Sequence, residues 1–412
     1  MPKMFKYKSR NIIPAVILAL AGLCGVNTWA DVSLPAIFSD HMVLQRDAKI
    51  PVWGWSLPQA TITLKFAGKE YTTKVEKHTG RWRIDLEPLP AGGPYEMAIR
   101  DGTVNGVTLK NVMVGEVWLC SGQSNMEMQV RSSDSWGRED VRFQQPNIRV
   151  FKVQKATASA PQQDLHGTGW KPVNNSIYNP ASDFSAVGWH FACDLQRELG
   201  VAVGVIESDW GATTAEAWMS RQALESDSEL AERLTPFLKG LQENGPGWIP
   251  AGKRTPTALY NAMIAPLQPF AFRGVLWYQG ESDENWAPLY GKLFSTLITS
   301  WRQSWGHGDF PFLFVQLAGF REPAEQPYQG AGGWPRLREE QAKALALPNT
   351  AMAIDIGNPK DVHPKNKQEV ARRLFLAAMA KVYGKDVPYS GPTFESSTIE
   401  ENRIRIKFKH AE

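Results

Sequence analysis

The sequence predicts an α/β protein: a three-layer α/β/α domain with a parallel sheet, preceded by a small all-β, sandwich-like domain. Two observations predict this arrangement. Residues 31–110 contain short runs of alternating apolar and polar residues separated by turn residues, as in β-domains. From Asn111 onward, nearly continuous apolar runs alternate with longer segments of helical periodicity. That alternation is typical of buried parallel strands and the helices that cover them.

The first thirty residues have the pattern of a secretory signal peptide. Four basic residues precede an apolar run over residues 12–26, and small residues near Ala30 suit a signal peptidase. A membrane anchor is the alternative, but the run is short for a bilayer span. We therefore expect residues 1–30 to be removed and the mature protein to be exported, with no membrane association.

The charge of the mature chain excludes some partners. The whole chain has 45 basic and 42 acidic residues, and four basic but no acidic residues lie in the first thirty. Removing those four leaves 41 basic residues against 42 acidic ones, a net charge of −1. No basic patch predicts nucleic acid or an anionic membrane as a partner.

The cysteines of the chain do not predict a metal site. Cys120 and Cys193 remain in the mature chain, both in apolar contexts, which favours two buried thiols over a disulfide, although export would permit one. The sequence has no cysteine or histidine cluster of the metal-binding type, so we expect no metal and no cofactor.

The elements follow in order along the chain. In the β-domain, 31–110, strands are predicted at 50–55, 60–66, 81–86 and 95–100. The second domain, 111–388, has five predicted strands, namely Val114–Cys120, Ala202–Glu207, Gly274–Gln279, Pro311–Leu317 and Thr350–Ile356. Helices are predicted at Gly188–Leu199, Tyr290–Ser304, Trp334–Leu347 and Lys367–Val382.

The last segment, 389–412, contains a strand-like alternation at Arg403–Lys409. A lone terminal strand needs a partner. The strand therefore either pairs back with the first β-region or belongs to a longer β segment that is cut short.

Histidine is the usual base of a serine esterase, and His363 is the candidate among the seven histidines. It follows the fifth strand, and Asp361 lies two residues before it. On a loop, that spacing can fold the carboxylate onto one ring nitrogen and leave the other for a nucleophile. A D-x-H pattern alone is weak, and a plain surface loop is the alternative. His190 lies in a helical pattern, which favours a packed side chain, and His166 and His307 lie in polar loops.

Ser124 is the candidate nucleophile. It follows the first parallel strand within GEVWLCSGQSNMEM, at the end of the sheet where α/β folds bind ligands. If a helix starts at or after Asn125, its N–H groups would face developing negative charge. The alternatives are that Ser124 is a helix N-cap and that Ser121, nearer the strand, is the reactive serine.

Two neighbouring strand ends supply hydrogen-bond donors. The second strand leads to Gly211 and the third ends at Gln279. In a sheet with strand order 2-1-3-4-5, both flank the first strand, so the N–H of Ser124, the N–H of Gly211 and the side-chain amide of Gln279 form a predicted oxyanion hole. Turn chemistry for Gly211 and a buried polar role for Gln279 are the alternatives.

These motifs resemble the sialate O-acetylesterase group of the SGNH (GDSL-like) hydrolases. The similarity covers nearly the whole mature chain and rests on FSDHMVLQR, PVWGW, GEVWLCSGQSNMEM, GVLWYQGESD and DIGNPKDVHPKNKQEVARRL, in the order of that family. The resemblance implies an SGNH fold, Ser124 as nucleophile and Asp361 with His363 as the rest of a triad. It also implies oxyanion donors at Gly211 and Gln279, and it makes the periplasm the expected location.

The chain departs from the family pattern at two positions beside the predicted hole. Ala212 stands where the family usually has a second glycine, so the hole survives unless this position needs positive φ. Asp209 replaces a smaller residue and is expected to alter the charge of the pocket. Glu281 and Arg338 are candidates for shaping the site without a catalytic step.

The resemblance implies a serine ester hydrolase that removes O-acetyl groups from carbohydrates, with an acetylated sialic acid as substrate. An acetylated xylan or other polysaccharide is the alternative substrate, and a non-catalytic carbohydrate-binding protein of the same fold is the alternative function. Sixteen tryptophans are many for this length, and exposed ones could stack on sugars. We expect most of them to lie in the core instead.

Overall fold

The computed structural model describes residues 32–102, 106–137, 147–165, 167, 169–173, 180–322 and 333–411. The predicted signal peptide, 1–30, and His166 lie outside the described residues. No helix within the described ranges is long and apolar enough to cross a membrane.

The described part of the chain contains fifteen strands. They are β1 (Val43–Gln45), β2 (Ile50–Trp55), β3 (Thr61–Phe66), β4 (Lys69–Lys74), β5 (Arg81–Leu86), β6 (Gly92–Arg100), β7 (Gly106–Gly122), β8 (Ile148–Lys152), β9 (Lys171–Pro172), β10 (Val203–Asp209), β11 (Gly274–Tyr278), β12 (Phe312–Gln316), β13 (Thr350–Ile354), β14 (Thr393–Glu400) and β15 (Arg403–Lys409).

Seven α-helices occur in the same described ranges. They are α1 (Ser124–Glu127), α2 (Ala186–Leu199), α3 (Arg221–Glu225), α4 (Ser228–Asn244), α5 (Ala287–Trp305), α6 (Gly333–Ala342) and α7 (Lys367–Lys381). The four helices expected from the sequence correspond to α2, α5, α6 and α7, whereas α3 and α4 were not predicted. The structure continues α6 as a 3₁₀ turn over Lys343–Ala346.

A sheet with strand order β13-β12-β11-β7-β10-β8-β9 organises the molecule. Each pair from β13 to β8 is parallel, and β9 is antiparallel to β8. The five strands expected from the sequence are β7, β10, β11, β12 and β13, and they lie in the order β10-β7-β11-β12-β13. All residues of β10 and β11 are buried, as their continuous apolar runs predict.

Strand β7 runs through the domain boundary that the sequence predicted after residue 110. Its first part pairs with β6 and β1 of the N-terminal region, and its second part pairs with β10 and β11. The predicted boundary at 110/111 therefore falls inside one continuous strand, and the division into two domains at this position stays a prediction. The change in pattern that suggested it is real, because burial along β7 changes from partial to continuous from Val114 onward.

The N-terminal strands form two layers. Strands β2 and β5 pair as one antiparallel sheet, while β3 lies between β4 and β6, and β6 joins β7. Phe38 lies between the two regions, with its ring 4.7 Å from Trp53 and 5.6 Å from Phe270. One continuous cluster of buried apolar side chains therefore joins the β-region to the α/β region.

Helices pack against the central sheet in two groups. Helix α2 packs on α7 and β10, and α5 packs on α6 and α3. This grouping fits the layered arrangement expected from the alternating pattern. Cys120 and Cys193 are both buried and form no disulfide within the described ranges, which confirms the prediction of two buried thiols.

The C-terminal segment forms a hairpin. Strand β15 pairs antiparallel with β14, a strand that the sequence did not predict, and the two make a sheet of their own. The alternative in which Arg403–Lys409 pairs back with the first β-region is therefore wrong. Every residue of both strands is exposed, which explains why β14 has no clear apolar alternation.

Candidate active site

The carboxyl end of β7 brings Ser124 to the edge of the central sheet. Gly122 has a φ of +137°, and a Cβ atom there would lie 2.1 Å from the carbonyl oxygen of Tyr278. Only glycine allows the two backbones to approach so closely. Gln123 donates its backbone N–H to the same carbonyl at 2.9 Å, so Ser124 is held at the start of α1.

Ser124 and His363 form a hydrogen-bonded pair. Oγ of Ser124 lies 2.8 Å from Nε2 of His363, in the loop after β13. The alternative that Ser124 is a helix N-cap is wrong, because Gln123 holds that position and the Ser124 hydroxyl contacts the imidazole. The competing Ser121 is fully buried in β7, and its hydroxyl has no partner among the described residues.

The surroundings of His363 favour the neutral imidazole. Burial, followed by the charge of Lys367, lowers the pKa of His363, and the nearby Asp361 carboxylate opposes that shift. A general base must be neutral before it accepts a proton. The environment therefore keeps His363 competent as a base to lower pH than a free histidine would be.

Asp361 lies beside His363 but bonds its main chain. Oδ1 of Asp361 accepts the backbone N–H of His363 at 2.8 Å. Within the described ranges, no side chain hydrogen-bonds the second ring nitrogen, Nδ1. The carboxylate thus fixes the loop and acts on the ring through its charge, and direct orientation of the imidazole by Asp361 stays a prediction.

Gly211 lies next to the nucleophile, but its N–H is already engaged. A Cβ atom on Gly211 would sit 3.2 Å from Cβ of Ser124. Its backbone N–H donates to Oε2 of Glu127 at 2.5 Å, and Lys155 pairs with the other oxygen of that carboxylate. An oxyanion that uses the Gly211 N–H must therefore displace Glu127.

The two departures from the family pattern have structural consequences. Ala212 has a φ of +59°, the left-handed conformation that the missing glycine would adopt without strain. Asp209 is buried, and burial together with the neighbouring Glu207 raises the pKa of Asp209 well above its ordinary value. Burial and the neighbouring Glu207 therefore both oppose the negative charge expected at this position from the sequence.

Gln279 lies at the end of β11 in a saturated network. Its Nε2 donates to Oδ2 of Asp283 at 2.6 Å, to the Thr213 carbonyl at 2.9 Å and to Oε1 of Gln123 at 3.2 Å. The side-chain oxygen accepts from the Tyr290 hydroxyl at 2.9 Å. An amide nitrogen has two hydrogens, so a role for Gln279 in the oxyanion hole stays a prediction that requires one of these bonds to break.

The Ser124 N–H is the unengaged member of the predicted hole. The structure gives it no acceptor among the residues it describes. Helix α1 is only four residues long. The dipole expected from the sequence therefore adds little, and the N–H itself is the donor available to an oxyanion.

The two site-shaping candidates differ in position. Glu281 accepts a hydrogen bond from Nδ2 of Asn125 at 2.5 Å, next to the nucleophile, and burial raises its pKa. Arg338 lies on α6, where it donates to Oε1 of Gln316 at 3.3 Å and makes no described contact with Ser124 or His363. The structure therefore brings Glu281 next to Ser124, whereas a site-shaping role for Arg338 stays a prediction.

Three further residues at the site were not singled out in the sequence. Asn125 and Glu127 lie in the same GQSNMEM motif as the nucleophile, and Lys367 lies four residues after His363. Their proximity to the motif residues was a signal, but their contacts depend on how three loops pack. His190, by contrast, is buried in α2 with Nε2 2.7 Å from Oγ of Ser135, in line with the packed role expected.

The arrangement supports nucleophilic chemistry at a carbonyl. A serine hydroxyl bonded to a neutral imidazole can be deprotonated as it attacks, and a free N–H beside it can receive the negative oxygen. No group of three or more metal-ligating side chains occurs among the described residues.

Residues 114–371 match the family described as SASA, "Carbohydrate esterase, sialic acid-specific acetylesterase". The matched span includes β7 from Val114 onward, together with Ser124, Gly211, Gln279 and His363.

Curated relatives and a solved structure agree with that match. The sialate O-acetylesterase of Rattus norvegicus is 33% identical over 406 residues, covering 86% of this chain and 74% of the relative. The one from Homo sapiens is 32% identical over 424 residues, covering 92% and 78%. A carbohydrate acetylesterase from Xanthomonas citri, known from a crystal structure, is 36% identical with a TM-score of 0.81, covering 92% of this chain and 82% of that chain. This chain therefore belongs to the sialic acid-specific acetylesterase family of carbohydrate esterases.

Proposed function

We propose that this esterase removes acetyl groups from carbohydrates by using Ser124 as nucleophile and His363 as general base, on a domain of the SGNH type. The observation that supports it most directly is the 2.8 Å contact between Oγ of Ser124 and Nε2 of His363. That contact joins a strand end and a loop that lie 239 positions apart in the sequence. A pairing across that distance is expected when the two groups act together.

The reaction proceeds in two steps, acetylation of Ser124 and hydrolysis of the acetyl-serine. His363 takes the Ser124 proton as Oγ bonds the acetyl carbon, and the carbonyl electron pair moves onto oxygen. The tetrahedral intermediate collapses, the bond to the sugar oxygen breaks, and His363 protonates that oxygen to release the alcohol. Water then attacks the acetyl-serine with His363 again as base, and acetate leaves as Ser124 regains its proton.

The oxyanion is stabilised by the Ser124 N–H and, once Glu127 moves, by the Gly211 N–H. Gly211 lies close to the nucleophile, since a Cβ atom on Gly211 would sit 3.2 Å from Cβ of Ser124. Each such donor contributes on the order of 3 kcal/mol to lowering the barrier. Asp361 supports the base by holding the His363 main chain.

An acidic sugar is the favoured substrate. The Rattus and Homo relatives are named for sialate, a sugar acid. Directly before Gly211 in the chain, the partly exposed ring of Trp210 has Nζ of Lys155 5.8 Å and Nζ of Lys253 5.7 Å from its centroid. An aromatic face with two cations suits a sugar ring that bears a carboxylate. Ten of the fifteen tryptophans in the described ranges are buried, so Trp210 is one of few there that are available for stacking.

A neutral acetylated polysaccharide such as acetylxylan is the second candidate substrate, and replacing Lys253 distinguishes the two. Lys253→Met should raise KM for an O-acetylated sialic acid severalfold and leave KM for acetylated xylo-oligosaccharides unchanged. Lys239→Met is the matched control, because Lys239 is exposed on α4 and pairs with Glu243. Efficient release of acetate from xylo-oligosaccharides but none from the sialic acid would favour the neutral substrate.

The remaining alternative is a carbohydrate-binding protein of the same fold that has no esterase activity, and one assay tests it. The wild type should hydrolyse p-nitrophenyl acetate, and Ser124→Ala should lower kcat/KM at least about 1000-fold. Ser121→Ala controls for loss of a neighbouring serine and should keep wild-type activity. A wild type no faster than Ser124→Ala would end the esterase proposal.

The N-terminal pattern supports export of the mature protein, with the periplasm as its place of action. Expression of the full chain in a Gram-negative host should yield a product that starts near Asp31, as determined by N-terminal sequencing. An uncleaved product in the cytosolic fraction would contradict export.

A further inference from the structure

A fully buried lysine lies beneath the catalytic pair. Lys367 is the first residue of α7, where the Asn366 side chain caps the helix. Its Nζ donates to Oδ1 of Asn125 at 2.5 Å and lies 3.7 Å from Oδ2 of Asp355. Nζ also lies 4.9 Å from the centroid of the Tyr278 ring. Burying an ammonium group is costly, so such a residue needs partners of this kind.

Asn125 joins the nucleophile to the base. It follows Ser124 directly, and its Nδ2 donates to the carbonyl of Val362, which precedes His363, at 2.9 Å. The same nitrogen donates to Oε1 of Glu281 at 2.5 Å. One amide group therefore connects the main chain of the Ser124 turn to the main chain of the His363 loop.

Lys367 dictates which way this amide faces. An ammonium group only donates, so the atom of Asn125 that faces it must be the oxygen. The nitrogen then points at the Val362 carbonyl and the Glu281 carboxylate, both of which only accept. Without the lysine, the Asn125 amide loses the contact that holds its oxygen on that side.

We propose that Lys367 is a positioning residue for ester hydrolysis, which orients the Asn125 amide so that it holds the His363 loop against Ser124. This inference rests on the proposed function. The distance from Oγ of Ser124 to Nε2 of His363 depends on the two main-chain segments that Asn125 connects. Loss of that connection would misplace the base relative to the nucleophile, and small misplacements of this kind cost on the order of 100-fold in rate.

The charge of Lys367 also acts on the imidazole, which provides a readout that a purely structural role lacks. The charged groups that act on His363 are Lys367 from α7 and Asp361 from its own loop. Asp355 and Glu281, after β13 and β11, act in turn on Lys367, and burial lowers the pKa of Lys367 to about 8. Because the lysine charge lowers the pKa of His363, removing it should raise that pKa.

The test compares Lys367→Met with Lys365→Met. Both remove one lysine charge, but Lys365 is exposed and lies two residues earlier, in the loop that precedes α7. With p-nitrophenyl acetate, Lys367→Met should lower kcat roughly 10- to 100-fold with KM nearly unchanged. In the pH profile of kcat for Lys367→Met, the loss of activity on the acid side should move to higher pH. Lys365→Met should match the wild type in both respects.

Two results with a folded Lys367→Met variant would overturn the proposal. One is wild-type kcat with a wild-type pH profile, and the other is lost activity with an unmoved acid limb. If Lys367→Met does not fold, Asn125→Asp decides, because it keeps an acceptor for Lys367 but loses the donor to Val362. Wild-type kcat for Asn125→Asp would overturn the proposal, and a loss like that expected for Lys367→Met would support it. An inactive wild type would instead reject the proposed function.

Discussion

At the scale of single residues, Ser124 and His363 meet across 239 positions of sequence. Motif order predicted both residues, because each follows an apolar strand and the ends of parallel strands lie at one edge of a sheet. Two features could not be predicted. The side-chain amide of Gln279 already has all its hydrogen-bond partners, and the Gly211 N–H already donates to Glu127. Both depend on side chains from several loops competing for the same donors, which no local pattern encodes.

The pH dependence of activity follows from the environment of His363. Its pKa is lowered by burial and by Lys367, so the base is neutral over a wider acidic range than free histidine. Activity requires the neutral imidazole and is lost as pH falls through this lowered pKa. We expect the acid limb of kcat/KM to lie below pH 6.5, the ordinary value for histidine. A pH–rate profile with p-nitrophenyl acetate measures it, and a limb above that value would contradict the burial argument.

Glu127 should restrain the reaction, because its carboxylate holds a donor that the oxyanion needs. Replacing it in Glu127→Ala frees the Gly211 N–H and removes a negative charge beside the developing oxyanion. The freed donor is worth about 3 kcal/mol to the oxyanion, while a hydrogen bond to a charged group contributes roughly 2 kcal/mol to the resting state. We expect kcat with p-nitrophenyl acetate to rise severalfold. A fall in kcat for this variant would show that Glu127 assists catalysis instead.

At the scale of elements, β7 connects the N-terminal region to the site. It pairs with β1 and β6 in its first part and with β10 and β11 in its second, and it ends at the Ser124 turn. The sequence indicated where β7 changes from partly buried to fully buried, and we placed a domain boundary near that point. Periodicity reports which faces are buried and not whether the backbone continues, so it could not distinguish one long strand from two.

The end of β7 depends on glycine, and this dependence is testable. Gly122→Ala adds a Cβ 2.1 Å from the Tyr278 carbonyl at a positive φ. Gly200→Ala, at the end of α2, shares the positive φ but meets no atom within 4 Å. Urea unfolding should show Gly122→Ala at least about 2 kcal/mol less stable than Gly200→Ala, because only the former adds a clash. Equal free energies of unfolding for the two variants would show that the ends of β7 and β11 pack less tightly than they do in the structure.

At the scale of the whole molecule, the sequence predicted the α/β class and the buried strands better than the short or exposed strands. Long apolar runs indicate β10, β11 and β12, in which every residue except Gln316 is buried. The two-residue edge strand β9 and the exposed hairpin β14–β15 lack such a signal. Half-buried or exposed strands owe their form to partners that are distant in sequence, which explains why they were missed.

The central claim is that Ser124 is the nucleophile and that His363 activates it. The most direct measurement is labelling with an active-site-directed phosphonate ester, followed by peptide mass spectrometry of wild type and His363→Ala. We predict one adduct, on the peptide segment at Ser124, and labelling of His363→Ala at least about 100-fold slower. An adduct on Ser121 or elsewhere, or labelling at the wild-type rate without His363, would contradict the account.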